Sequence, residues 1–166
     1  MLSGTPSVAN THGERTIVER TLILLKPDAV QRALVGRIIE RFELKGIKIV
    51  GIKMMRVSEE LAHRHYQEHV GRPYFEPLVR FITSSPIVAV ALEGTNVIAR
   101  VRKLVGATQP DNSEPGTIRG DFSNHAPMNL VHASDAPESA ARELALFFAP
   151  DELFDYARSD ALWIGL

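Results

Sequence analysis

The sequence predicts an α/β sandwich, and three observations carry that prediction. Four short apolar or β-branched runs alternate with segments whose apolar residues recur at helical spacing. Glycine, proline and capping residues fall between these segments rather than inside them. With 166 residues and 45% hydrophobic composition, the chain has material for one domain with a sizeable core. A sheet of four strands is small, so helices must cover at least one of its faces. Periodicity leaves open whether the strands run parallel.

The elements follow in order. Thr21 to Leu25 is an apolar strand closed by Lys26-Pro27-Asp28. Leu34, Val35, Ile38, Ile39 and Phe42 form a helical stripe that Gly46 ends. Ile47 to Met55 is rich in β-branched residues and reads as the second strand. Ser58 opens a helix to about Glu68. Pro73 opens another carrying Tyr74, Phe75, Leu78, Val79 and Ile82, which Ser85-Pro86 breaks. Ile87 to Leu92 is the third strand. Thr95 is the expected cap of a helix to about Leu104, with Val97, Ile98, Val101 and Leu104 inward. A loop as long as Gly106 to Ile118 is unusual in a compact domain and often functional. Leu130-Val131 lies on a short fourth strand. Glu138 to Phe148 is a helix for which Ser134 and Asp135 are candidate caps, with Pro137 and Glu138 suited to its first turn. A last turn carries Leu153, Phe154 and Trp163.

Composition excludes several function classes. The net charge is −1, so no global field draws the chain to nucleic acid or to an anionic membrane. There is no cysteine, which removes disulfides, thiolate catalysis and cysteine zinc sites and suits a reducing, cytoplasmic setting. No apolar run approaches the roughly 20 residues that span a bilayer. Residues 1–19 are polar and mixed, lack a secretory pattern, and read as a flexible extension; residues 20–166 read as the folded domain.

The chemistry centres on Asn129-Leu130-Val131-His132-Ala133-Ser134-Asp135. Here a histidine leaves a strand and faces a helix start, where the field favours anions. An imidazole held there can act as a nucleophile toward phosphate. The chain contains no G-x-x-x-x-G-K-[ST], no G-x-G-x-x-G and no H-E-x-x-H. Phosphates must then be held by side chains. The candidates are Lys26, Arg102, Thr108 and Arg119; any one basic residue alone reads better as a solvated charge. Lys26 is harder to dismiss because Pro27 fixes the backbone beside it. His65 and His69 lie four apart on the predicted helix, but no carboxylate at ligand spacing completes a metal site. His63 and His65 therefore read as polar helix-face histidines. Glu143, about two turns into the last long helix, could fix the His132 tautomer; on its own it reads as a solvated glutamate.

Together these residues resemble the nucleoside diphosphate kinase family from about Arg20 to Trp163. The pattern runs Lys26-Pro27-Asp28-Ala29-Val30-Gln31-Arg32, His65-Tyr66, Arg72-Pro73-Tyr74-Phe75 and Pro115-Gly116-Thr117-Ile118-Arg119-Gly120-Asp121-Phe122. It continues through Asn129 to Asp135, then Glu138-Ser139-Ala140 and Glu143. The resemblance implies a ferredoxin-like sandwich with a four-stranded antiparallel sheet. It implies transfer of the terminal phosphate of ATP or another nucleoside triphosphate to a nucleoside diphosphate, by a ping-pong route through phosphohistidine.

By matching position, His132 is the nucleophile and Glu143 its orienting carboxylate. Lys26, Tyr66, Arg102, Thr108 and Arg119 surround the phosphates, Lys26 and Asn129 reach the sugar, and Tyr74 and Leu78 sandwich the base. Ser134 lies near both His132 and Glu143. No metal-binding residue is expected, since Mg2+ arrives with the nucleotide phosphates. The resemblance also implies a homo-oligomer, a hexamer or alternatively a tetramer. Ala133 stands where glycine is common, Tyr74 where phenylalanine is, and Met128 where arginine is often found. The rival reading is a non-catalytic module of the same fold that binds nucleotide or a partner; the intact residue set argues against it.

Overall fold

The computed structural model describes residues 18–164. Strand β1 (Val18–Leu25) leads into a short helix α1 (Pro27–Gln31), then α2 (Val35–Leu44) and β2 (Lys48–Met55). Helices α3 (Glu59–His65) and α4 (Phe75–Thr83) precede β3 (Ile87–Thr95) and α5 (Val97–Val105). The chain ends through α6 (Ile118–Phe122), β4 (Val131–Ala133), α7 (Pro137–Phe147) and α8 (Ala161–Ile164). The sheet order is β2-β3-β1-β4, and every pairing is antiparallel. That settles the question periodicity left open, in the sense the resemblance implied.

The sheet is covered on both faces, which explains why Leu22 to Leu25 of β1 and Ile87 to Leu92 of β3 are apolar without interruption. Ile23 and Leu25 of β1 and Val88, Val90 and Leu92 of β3 pack with Ile38, Phe42, Val97 and Val101. The alternate residues Leu22, Leu24, Ala89 and Ala91 pack with Ala62, Phe75, Val79, Ile82, Leu144 and Phe147. Side chains on a strand alternate between faces, so one strand feeds both layers. Burying a leucine or isoleucine contributes about 1.5–3 kcal/mol, and Leu22 to Leu25 are all fully buried.

Helix ends follow local chemistry, with four departures from expectation. Ser58 Oγ accepts the Leu61 N–H at 3.1 Å, as a capping serine should. The helix it opens stops at His65, and Gln67–His69 continue as a 3₁₀ turn. Helix α4 starts at Phe75, two residues after Pro73. Thr95 is not a cap: it is the last residue of β3, and Asn96, with φ of 49°, occupies the cap position of α5. The Glu19 carboxylate accepts the Ile98 N–H of that helix at 3.4 Å. Neither Ser134 nor Asp135 caps α7, whose cap position is Ala136. Ser139 Oγ accepts the Ala136 N–H at 3.0 Å and donates to Asp135 at 2.7 Å. Ser134 is instead committed to the interior.

The expected extension lies outside the described residues up to residue 17, and Val18 and Glu19 already belong to β1. The long loop after α5 carries a 3₁₀ turn at Pro110–Asn112 before Thr117 caps α6. In the last segment Leu153 is partly buried, whereas Phe154 and Trp163 are exposed.

Candidate active site

His132 sits in the middle of β4, paired with Leu24 of β1. Its neighbours Val131 and Ala133 point into the α2/α5 layer, so His132 points to the opposite face, toward α3 and α7. There its Nε2–H donates to Glu143 Oε2 at 2.8 Å. The same oxygen accepts from Ser134 Oγ at 2.6 Å. Glu143 is only 5% exposed. Burial opposes its ionisation, but the hydrogen bonds from His132 and Ser134 outweigh that and hold it at about 2. An ionised carboxylate can only accept, so the proton of this pair belongs to Nε2. The lone pair of the imidazole is then on Nδ1, and the His132 side chain is 23% exposed.

His65 overturns its expected role. It is 4% exposed, on the same face of α3 as Ala62, and its ring meets the His132 ring edge-on with centroids 4.5 Å apart. Burial, with the His132 charge second, pushes it down to about 3 and keeps it neutral. Among the described residues neither of its ring nitrogens has a hydrogen-bond partner. His63 is exposed, as expected. Sequence reasoning missed His65 because it treated the helix by histidine spacing. The spacing of three from Ala62 was the available signal. Aromatic contacts continue outward from His65 through Tyr66 at 4.5 Å, His69 at 6.2 Å and Tyr74 at 5.5 Å. Tyr66 is buried, which pushes its hydroxyl up, while Tyr74 is exposed and Leu78 half-buried.

The expected cation set converges on the turn before β4. Lys26, 6% exposed, donates to Asn129 Oδ1 and, at 3.3 Å, to the Pro127 carbonyl. Burial lowers its pKa to about 8, with Arg119 adding to that effect and Asp28 opposing it. Asn129 Nδ2 donates to the Thr108 carbonyl at 2.7 Å, which ties the long loop to this turn. Arg119 reaches the carbonyls of Asn129 at 3.1 Å, Gly106 at 3.0 Å and Val131 at 2.5 Å. Its pKa falls to about 10 through burial and the nearby Arg102. Arg102, half-exposed on α5, donates to the Ala133 carbonyl at 3.4 Å. The Thr108 side chain is exposed.

Asp28 explains why the Lys-Pro-Asp turn is needed, a role sequence reasoning did not assign. Leu130 has a φ of 69°, which is strained for a branched residue. Its N–H is held by Asp28 Oδ2 at 3.0 Å and its carbonyl by the Lys26 N–H at 2.8 Å. The turn thereby fixes the path that delivers His132.

A partly exposed histidine with a free Nδ1, a buried carboxylate behind it and three cations nearby define an enzyme of the phosphoryl-transfer class. Comparison with known proteins narrows this. The family described as nucleoside diphosphate kinase matches residues 19–153. A nucleoside diphosphate kinase of Pelotomaculum thermopropionicum is 53% identical over 147 residues, 89% of this chain and 99% of that protein. Two solved structures share the fold. A halophilic nucleoside diphosphate kinase from Halobacterium salinarum in complex with CDP has a TM-score of 0.86 at 50% identity, covering 88% of this chain and 97% of that one. A nucleoside-diphosphate kinase of Borrelia burgdorferi, a transition-state mimic with vanadate and ADP, has a TM-score of 0.84 at 38% identity, covering 88% and 96%. The chain belongs to the nucleoside diphosphate kinase family and is an enzyme of that kind.

Proposed function

We propose that the chain moves the terminal phosphate of a nucleoside triphosphate to a nucleoside diphosphate through phosphorylated His132. The observation that carries this reading is the Nε2–H to Glu143 hydrogen bond, which leaves the lone pair of a partly exposed imidazole on Nδ1. Nδ1 attacks the terminal phosphorus, the bond to the bridging oxygen breaks, and the nucleoside diphosphate leaves with that electron pair. A second nucleoside diphosphate then takes the phosphoryl group back from Nδ1 by the reverse displacement. Lys26, Arg102 and Arg119 offset the charge on the phosphate oxygens, and Tyr66 and Thr108 donate to them.

Asn129, held by Lys26, addresses the sugar, and Tyr74 with Leu78 takes the base by its face. Mg2+ is part of the substrate. Among the described residues the one cluster of three metal-ligating side chains is His65, His132 and Glu143, which is no oxygen cage for Mg2+. The ion is held by phosphates and water.

The outer edge of β2, which no described strand pairs, and the exposed Ile52 and Met54 on that strand support assembly into a homo-oligomer, a hexamer or alternatively a tetramer. None of the described helices is long and apolar enough to cross a membrane, and we place the enzyme in the cytoplasm. The test is labelling with ATP carrying a radioactive terminal phosphate. The protein is expected to take up acid-labile label, and His132→Ala to lose label and turnover while still binding ADP. Label retained on the alanine variant would falsify the assignment.

A further inference from the structure

We infer that His65, His132 and Glu143 form a binding site for a divalent cation of the zinc class, and that its occupancy silences His132. One ligand atom from each residue lies within 4.8 Å of the others. The donor set, two imidazoles and one carboxylate, suits zinc in a site that keeps an open fourth position. His65 supplies the independent observation. It is 4% exposed, its ring meets the His132 ring edge-on, and both its nitrogens lack a hydrogen-bond partner among the described residues. Native interiors rarely leave buried polar groups in that condition. The bland helix-face reading of this histidine therefore fails, and the carboxylate that sequence spacing did not supply arrives from α7.

Zinc bonds of about 2.0–2.1 Å place ligand atoms roughly 3.4 Å apart in a tetrahedron, so the His132–Glu143 pair at 2.8 Å must open slightly, and any separation toward the 4.8 Å limit must close. Of the three ligands, His132 is the most exposed, its side chain at 23%. An ion on Nε2 displaces the proton shared with Glu143, and the ring then carries its proton on Nδ1. Nδ1 then has no lone pair, and the ring cannot attack phosphorus. This consequence rests on the proposed role of His132, whereas the binding itself does not. Magnesium, which prefers oxygen ligands, should not compete.

The experiment uses untagged full-length protein stripped with chelator and free of nucleotide. Zn2+ is titrated against a coloured competing chelator, and Co2+ serves as a spectroscopic probe. The expected result is one ion per chain, a tetrahedral Co2+ spectrum, and affinity reduced at least about tenfold by His65→Ala and by Glu143→Gln. His125→Ala, at an exposed histidine, should bind as the wild type does. Circular dichroism without metal establishes that each variant is folded. If His65→Ala is not, Glu143→Gln decides. Absence of stoichiometric binding, or unchanged affinity in the folded site variants, overturns the site.

In a second arm, zinc-loaded protein is freed of excess ion and mixed with labelled ATP and Mg2+. Label uptake should fall in proportion to occupancy, and uptake indifferent to bound zinc overturns the silencing. Metal-free protein that takes no label defeats the proposed kinase route instead, and the titration still judges the site.

Discussion

Glu143→Gln tests the heart of the site with the least structural disturbance. The glutamate places one oxygen, Oε2, under two donors, His132 Nε2–H at 2.8 Å and Ser134 Oγ–H at 2.6 Å. A glutamine carbonyl of the same size can accept both, so geometry is retained and charge is lost. In the proposed route, attack by Nδ1 makes the ring cationic, and the carboxylate stabilises that charge as it forms. A hydrogen bond to a charged group contributes about 1.5–3 kcal/mol against about 0.5–1.5 for a neutral one. Partners that orient an imidazole from behind are typically worth about 10–100-fold. The phosphorylation rate should therefore fall roughly 10–100-fold, or about 1.4–2.7 kcal/mol at 1.36 kcal/mol per tenfold. Affinity for ADP should hardly change. Rapid-quench single turnovers with labelled ATP measure the first quantity and ADP titration the second.

Stability gives an independent arm of the same test. Glu143 is held at about 2 in the folded chain, below the ~4.3 of a free glutamate. A depressed carboxylate contributes stability above the unfolded value and loses it as pH falls through the folded one. The wild-type advantage in melting temperature over Glu143→Gln should thus shrink as pH falls from about 5 toward 2. Wild-type phosphorylation rates in the variant, or an advantage constant across that window, would refute the reasoning.

Two further outcomes follow from other parts of the site. Lys26 is held at about 8 by burial, so it loses its charge as pH rises through that value. ADP affinity should weaken by roughly tenfold or more between pH 7 and 9.5, since a charged contact contributes about 1.5–3 kcal/mol; Lys26→Met should flatten the profile, and a flat wild-type profile would remove Lys26 from phosphate binding. Gly120 leaves no room for a side chain, because a Cβ there would lie 2.1 Å from the Glu114 carbonyl oxygen. Gly120→Ala must displace either that backbone or α6, which carries Arg119. It should cost at least about 2 kcal/mol, roughly 4–8 °C of melting temperature for a domain of this size, and an unshifted melt would contradict the packing.

How much of this was legible in the sequence depended on the range of the interaction. The central strands were readable because Leu22 to Leu25 and Ile87 to Leu92 are apolar runs that the helices bury from both faces, and β2 because it is rich in β-branched residues. Gly46 at φ of 76° and Ser58 as a cap were readable because a single residue type answers a local backbone need. Helix α1 was not, since its five residues show too little of the helical period. The Glu19 hydrogen bond to the start of α5 was not, because the partners are 79 residues apart. The same limit applies to the site. Lys26, Arg119 and Asn129 could be named as candidates, but their mutual contacts span loops whose closure no spacing rule describes.

Three of the failures of local reading gather around His132, and those three have one physical origin. Ser134 has the right chemistry to cap α7, yet its hydroxyl is buried against Glu143 and the Leu22 backbone. Leu130 adopts a left-handed conformation that branched residues avoid, held there by Asp28 and Lys26. His65 is buried without a partner on a helix where a solvated histidine would be unremarked. Each choice is unfavourable locally, with backbone strain of this kind costing about 1–3 kcal/mol. Each also serves the placement of one imidazole: the serine and the glutamate fix its tautomer, the strained turn fixes its position, and the second histidine walls its inner face. The apolar sheet beneath is stable enough to carry those costs. Residues that break a local rule beside a reactive side chain are where a fold departs from self-consistency for function. In this chain they are also the residues whose substitution should change chemistry before it changes folding.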